Sequence, residues 1–158
     1  MAFDIATELA VQRLLARYVA SLDEDRLEEW PGYFTDPCRY QIISSENYEQ
    51  KLPLGVFFAD SRGMLRDRVS ALRQANVYEV QRYRHLVSST LILGESDGLV
   101  AVQSNYMVVR IMHDGATALF STGRYLDKVS LAGPEPLFAE KLVVFDSRRI
   151  DTLLAIPL

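Results

Sequence analysis

Between residues 5 and 22 the apolar side chains Val11, Leu14, Leu15, Tyr18, Val19 and Leu22 recur at i, i+3 and i+4. That spacing lines one face of a helix. The run Asp23, Glu24, Asp25, Arg26 interrupts the pattern and reads as a solvated turn that opens a second helix. Leu27, Trp30, Tyr33 and Phe34 continue the helical spacing, and Pro31 keeps this second piece short. The alternation in "CRYQII", Cys38 to Ile43, predicts a first strand, whereas residues 44–58 carry no clear period. Asp60 or Ser61 then caps a third helix, with Met64, Leu65, Val69 and Leu72 as its buried stripe. Arg62, Arg66, Asp67, Arg68 and Arg73 surround that stripe.

Beyond Tyr83 the period falls from 3.6 to about 2. Strands are expected at 84–94, 99–112, 117–130 and 137–147, with a short last one near 150–156. Asp97-Gly98, Asp114-Gly115 and Gly133-Pro134 supply the turns, and strands joined so tightly must be antiparallel. Helices first and a meander afterwards is an α+β order. A long sheet wrapped around the N-terminal helix would bury both apolar faces. Gly123, in the middle of "FSTGRYLDKV", marks a bulge or a close backbone approach that would help the sheet curl.

Length and charge narrow the function classes. A chain of 158 residues suits one domain, 1–158, able to bury roughly 70% of the surface its unfolded form exposes. Net charge is −4, and no block of Lys or Arg exceeds two residues, so the cationic stripe of a nucleic-acid binder is missing. Neither a phosphate-loop nor a dinucleotide glycine motif occurs. No apolar run approaches the roughly 20 residues of a membrane span, and the N-terminus lacks the basic-then-apolar order of a signal peptide. With a single cysteine, Cys38, no internal disulfide can form, and a cytoplasmic location is expected.

Candidate chemistry centres on His85, one of two histidines, in "RYRHLV". An iron–sulfur centre of the Rieske type takes two cysteines and two histidines, which one cysteine cannot supply. A two-histidine, one-carboxylate iron site would use both His85 and His113, 28 residues apart on separate predicted strands. Cys38 has no nucleophile motif around it and reads as a small buried hydrophobe. Two readings of His85 stay open. As a general base it would work with Tyr106 and an acid such as Asp67 inside the cone of the sheet, as in a dehydratase or isomerase. As a structural residue it would hydrogen-bond a buried carboxylate or carbonyl where the third helix meets the sheet. Arg68, Arg84 and Arg124 read either as salt-bridged sheet surface or as forks that dock on carboxylates of another subunit. The tail "LLAIPL" reads as a packed edge strand or as an arm to a partner.

Several stretches resemble the small (β) subunits of Rieske-type aromatic-ring-hydroxylating dioxygenases. In "LDEDRLEEWPGYFTDPCRYQI" the family's order is met by Leu22-Asp23, Trp30, Asp36 and Tyr40. "DSRGMLRDRVSALRQANVYEVQRYRHLVSS" is similar to its most recognisable block, through Met64, Leu65, Asp67, Arg68 and Arg84 to Val87. "VQSNYMVVRI" and "FSTGRYLDKV" resemble its later strands, so the likeness runs from about residue 8 to Leu158. Within the family, "EEWPGYF", "ADS", "RIMH" and "DTLLAIPL" look closest to terephthalate-type small subunits, with salicylate and anthranilate types as near neighbours.

The resemblance implies a cone-shaped, mainly antiparallel sheet like those of nuclear transport factor 2 and scytalone dehydratase. It also implies an α3β3 hexamer whose α subunit holds a Rieske [2Fe-2S] cluster, a mononuclear Fe(II) and the substrate, with electrons delivered by a reductase. This chain would hold no cofactor and no catalytic residue. Asp67, Arg68, Arg84, His85 and Arg124 are then expected to form a structural and interface network, the first four bracing the third helix against the sheet.

Overall fold

The computed structural model describes residues 2–75, 80–147 and 156–158. Helix α1, Ile5–Asp23, starts where the Asp4 carboxylate accepts the Thr7 N–H at 2.6 Å, an N-cap that satisfies one of the helix's free donors. Its buried face is Val11, Leu14, Leu15, Tyr18, Ser21 and Leu22. The second helical piece is a 3-10 turn, Leu27–Tyr33, with Pro31 inside it and Trp30 fully buried. Strand β1, Phe34–Ser44, begins four residues before the expected Cys38.

The stretch without a clear period contains two short elements. Helix α2, Ser45–Glu49, is capped by the Ser44 hydroxyl, which accepts the Asn47 N–H at 3.2 Å. Strand β2 covers only Phe57–Ala59. Both are too short to show a period in sequence. Helix α3, Arg62–Ala75, is capped by Ser61, whose hydroxyl accepts the Met64 N–H at 3.2 Å. Leu65, Val69 and Leu72 form its buried stripe as expected, but Met64 is 40% exposed.

Four long strands follow: β3, Gln81–Ser96; β4, Leu99–Met112; β5, Thr117–Ser130; and β6, Leu137–Phe145. The expected last strand near 150–156 lies almost wholly outside the described residues. The strands form one sheet in the order β2-β1-β6-β5-β4-β3. The meander from β3 to β6 is antiparallel, while β1 lies parallel to β6, with Tyr40 beside Lys141 and Ile42 beside Val143. Asp97 (φ 55°) and Gly98 (φ 75°) turn β3 into β4, the pairing of left-handed residues that suits a tight hairpin.

The curl of the sheet has visible causes. Register shifts interrupt β3/β4 between Ser88 and Leu91 and again between Ile92 and Gly94, with Ser89 at φ 53°. A further shift lies between Val108 and Val109, opposite Phe120. Each extra residue bends its strand and increases the local twist. Gly123 is not itself the bulge. It is a close backbone approach: a Cβ there would lie 2.0 Å from the Val144 oxygen. Gly123→Ala must therefore push β5 from β6, and about 2 kcal/mol or more should be lost, measured as a lower denaturant midpoint.

The curled sheet closes over α1 and the 3-10 turn, and the core lies between them. Its centre is aromatic: Tyr18, Trp30, Phe34, Tyr40, Tyr125 and Phe138 are all fully buried. Edge-to-face contacts join them, Trp30–Tyr40 at 5.2 Å and Tyr18–Phe138 at 5.3 Å between ring centres, the geometry that the charge distribution of aromatic rings favours.

Candidate functional site

Buried polar groups, His85, Asp127 and Lys141 among them, accompany the aromatic core. His85 enters it from β3. Its ring is wholly buried, and Nδ1 lies 2.6 Å from Oδ1 of Asp23, the last residue of α1. The same carboxylate accepts the His85 backbone N–H, at 3.0 Å and 3.2 Å to its two oxygens. Asp23 thus ties the C-terminal end of α1 to β3 by side chain and backbone together.

The solvated turn expected at 23–26 is therefore corrected at its first residue. Asp23 has 5% side-chain exposure and continues the buried edge of the α1 stripe beyond Leu22. Its neighbours do face water: Arg73 of α3 reaches Asp25 at 2.9 Å and Glu28 at 2.7 Å. These contacts push the Arg73 guanidinium further up and draw the Glu28 carboxyl below its usual range.

The expected bracing network is rearranged. Helix α1 packs on β3, while α3 packs mainly on the 3-10 turn, β1 and β2. His85 meets Asp23, not Asp67. Asp67 and Arg84 are exposed and neither is hydrogen-bonded to His85. Arg68 lies over the Phe57 ring at 5.3 Å and Arg124 over Tyr48 at 5.5 Å. Tyr106 stacks on Tyr125 at 4.7 Å and shares a hydrogen bond with the Ser121 hydroxyl at 2.9 Å. Burial raises its phenol above the ordinary range, which makes it a poor source of protons at neutral pH. The triad of His85, Tyr106 and Asp67 is not assembled.

A second buried polar pair is absent from the sequence reading. Lys141 Nζ lies 3.2 Å from Asp127, and both side chains are at most 1% exposed. The ammonium is boxed by rings, 3.5 Å from the centre of Tyr125, 4.4 Å from Phe138 and 4.7 Å from Tyr18. Ring faces attract a desolvated cation. Desolvation pushes the Asp127 carboxyl up and the Lys141 amine down, against the mutual attraction of the two charges. One signal could have found the pair. Asp127 falls in phase with the inward Tyr125 and Val129, and Lys141 in phase with Val143 and Phe145.

The tail supplies the third polar contact. Ile156 and Leu158 are buried in the core, not laid along a sheet edge. The Leu158 oxygen accepts the Tyr40 hydroxyl at 2.9 Å and the Tyr18 hydroxyl at 3.0 Å, and Tyr18 accepts Trp30 Nε1 at 3.1 Å. Beside Ile156 and Pro157 remains a crevice of only about 10 Å³, enough for one water at most. Among the described residues, larger clefts of about 410–550 Å³ open on the outer surface, and His85 lines none of these.

Cys38 is buried, and its thiol is pushed up first by desolvation and then by Asp36. His85 Nδ1 is engaged by Asp23, while its buried Nε2 meets no hydrogen-bond partner among the described residues. Among the described residues no group of three His, Cys, Asp or Glu is placed to hold a metal ion. Among them, too, no helix is long and apolar enough to cross a membrane.

The described residues thus form a cone with a filled, largely aromatic interior and no metal-ligating cluster among them. Comparison with known proteins assigns the family. The family profile "Ring hydroxylating beta subunit" matches residues 17–152, and the chain belongs to that family. It is 39% identical to the anthranilate 1,2-dioxygenase small subunit of Burkholderia cepacia, over 98% of this chain and 96% of that one. It is equally 39% identical to a terephthalate 1,2-dioxygenase terminal oxygenase component beta subunit of a Comamonas species, over 96% and 98%. A crystal structure from Novosphingobium aromaticivorans, assigned as the beta subunit of an aromatic-ring-hydroxylating dioxygenase, is 38% identical and superposes with a TM-score of 0.88 over 98% of this chain and all of the other. The cone is of the kind seen in scytalone dehydratase and nuclear transport factor 2.

Proposed function

We propose that this chain is the non-catalytic, structural subunit of a multicomponent dioxygenase that cis-dihydroxylates an aromatic carboxylate, terephthalate or anthranilate being the substrates its relatives' names suggest. In this reading three copies join three large subunits in a cytoplasmic hexamer. The large subunit carries the Rieske cluster and the mononuclear iron, and a reductase supplies electrons to the assembly. The observation that carries the reading is the filled interior: His85 Nδ1 is held by Asp23, and the Tyr18 and Tyr40 hydroxyls are held by the Leu158 oxygen.

Assembly is supported by the edges of the sheet. Strand β3 is an edge strand of 16 residues with Leu86, Leu91 and Leu93 48–60% exposed. At the opposite edge Phe58 of β2 is 47% exposed, and Leu54 and Val56 lead into it. Long apolar edges are hazards unless another chain covers them.

Co-expression with a Rieske-type large subunit should give a hexamer by native mass measurement. Leu91→Glu with Leu93→Glu should weaken assembly while changing the isolated chain's unfolding by under about 1 kcal/mol, as for exposed positions. A chain that stays monomeric beside its large subunit defeats the proposal.

A further inference from the structure

We propose that the interior of the cone is a binding site for a small apolar carboxylic acid, which residues Ile156–Leu158 occupy as an intramolecular ligand. The segment meets its partners from 118 and 140 residues away in sequence. Its contacts have the form of ligand recognition. Two fully buried phenols aim their hydroxyls at one oxygen, and a branched apolar side chain, 0% exposed, fills the space beside them. The Leu158 oxygen thus stands in for a carbonyl or carboxylate oxygen, and the leucine side chain for the apolar body of the acid.

The cradle is held by contacts that do not involve the tail. Trp30 Nε1 donates to the Tyr18 hydroxyl and so leaves that phenol's own proton free to point at the tail. Phe34 and Phe138 pack on the Tyr18 ring, and Trp30 and Phe34 on the Tyr40 ring. Desolvation holds both phenols protonated well beyond neutral pH, so both remain donors. A site with donors fixed by packing and a mainly apolar wall is the usual form of a small-molecule pocket. A crevice of about 10 Å³ remains between Ile156, Pro157 and the Trp30 and Tyr40 rings.

The test uses the full chain. Trp30 is its only tryptophan and reports on the site through its bond to Tyr18. Ile156→Ala with Leu158→Ala removes the apolar filling. Titration of this variant with 4-methylpentanoate, and separately with benzoate, should give a saturable change in Trp30 emission and a higher thermal midpoint, because a ligand that binds the native state stabilises it. The natural chain should show neither. Adding Tyr40→Phe to the variant should weaken binding about tenfold, the order expected for one lost hydrogen bond.

A folded variant without a saturable response, a natural chain that responds as strongly, or indifference of the affinity to Tyr40→Phe each overturns the proposal. If the double variant does not fold, Leu158→Ala alone carries the same titration. Failure of both to fold with acid present shows that the segment is part of the folding core, which also overturns it.

Discussion

The Lys141→Met variant is expected to be about 3–5 kcal/mol less stable than the natural chain, the range for stripping one partner from a buried ion pair. Asp127 would stay buried at 1% exposure without the ammonium that holds its carboxyl down, so it must remain charged and unpaired or take up a proton. Three aromatic rings would then face a methionine where they now face a cation. Denaturant unfolding at neutral pH reads the loss. The double variant Lys141→Met, Asp127→Leu should return to within about 1 kcal/mol of the natural chain or exceed it, since an apolar pair of similar volume needs no desolvation.

The same pair has a pH signature. Desolvation raises the Asp127 carboxyl from 3.8 to about 6 in the folded chain. A folded pKa above the unfolded one gives stability that is present below pH 3.8 and lost as pH rises through about 6. Lys141, lowered from 10.5 to about 8, gives stability present above pH 10.5 and lost as pH falls through about 8. Relative to the double variant, the natural chain should therefore be least stable between these two windows. A difference that is flat with pH would show that the pair is not desolvated as described.

Asp23→Ala is the second large effect, about 3 kcal/mol. At about 2–4 °C per kcal/mol for a chain of this size, the thermal midpoint should fall by about 6–12 °C. Three hydrogen-bond contacts depend on this carboxylate: the His85 ring nitrogen at 2.6 Å and the His85 backbone N–H at 3.0 and 3.2 Å. Alanine leaves a buried ring nitrogen and a buried peptide N–H with nothing to meet. Asp23→Asn retains one acceptor oxygen and should cost clearly less. A loss below about 1 kcal/mol for Asp23→Ala would mean that α1 is held to β3 by its apolar face alone.

How far sequence reached into this fold follows from the range of each interaction. Periodicity found α1, α3 and the four long strands, because each repeats its signal over 14 residues or more or, as in β6, lies between clear turns. It did not find that β1 runs parallel to β6, since that pairing joins residues about 100 positions apart and leaves no local mark. The buried partner of His85 was expected, but its identity was not. Asp23 sits inside a run of four charged residues, and only the end of α1 reveals that its side chain turns inward while Asp25 turns out. The tail "LLAIPL" suggested a packed edge strand or an arm to a partner, whereas the seat of the Leu158 oxygen between two phenols depends on the closed cone. Strand pattern and Gly123 suggested a curled sheet around the helix, the family resemblance gave that cone its known counterparts, and the superposition at a TM-score of 0.88 agrees.

The account holds that this subunit's polar interior supports structure and that chemistry is done elsewhere in the oxygenase. The most direct measurement is turnover of the assembled enzyme, per iron, with His85→Gln in the small subunit and with terephthalate and anthranilate as substrates. The account predicts an unchanged kcat and KM in every complex that assembles, with any deficit confined to the yield and thermal stability of the complex. A kcat reduced by tenfold or more in a fully assembled, iron-replete complex would contradict it.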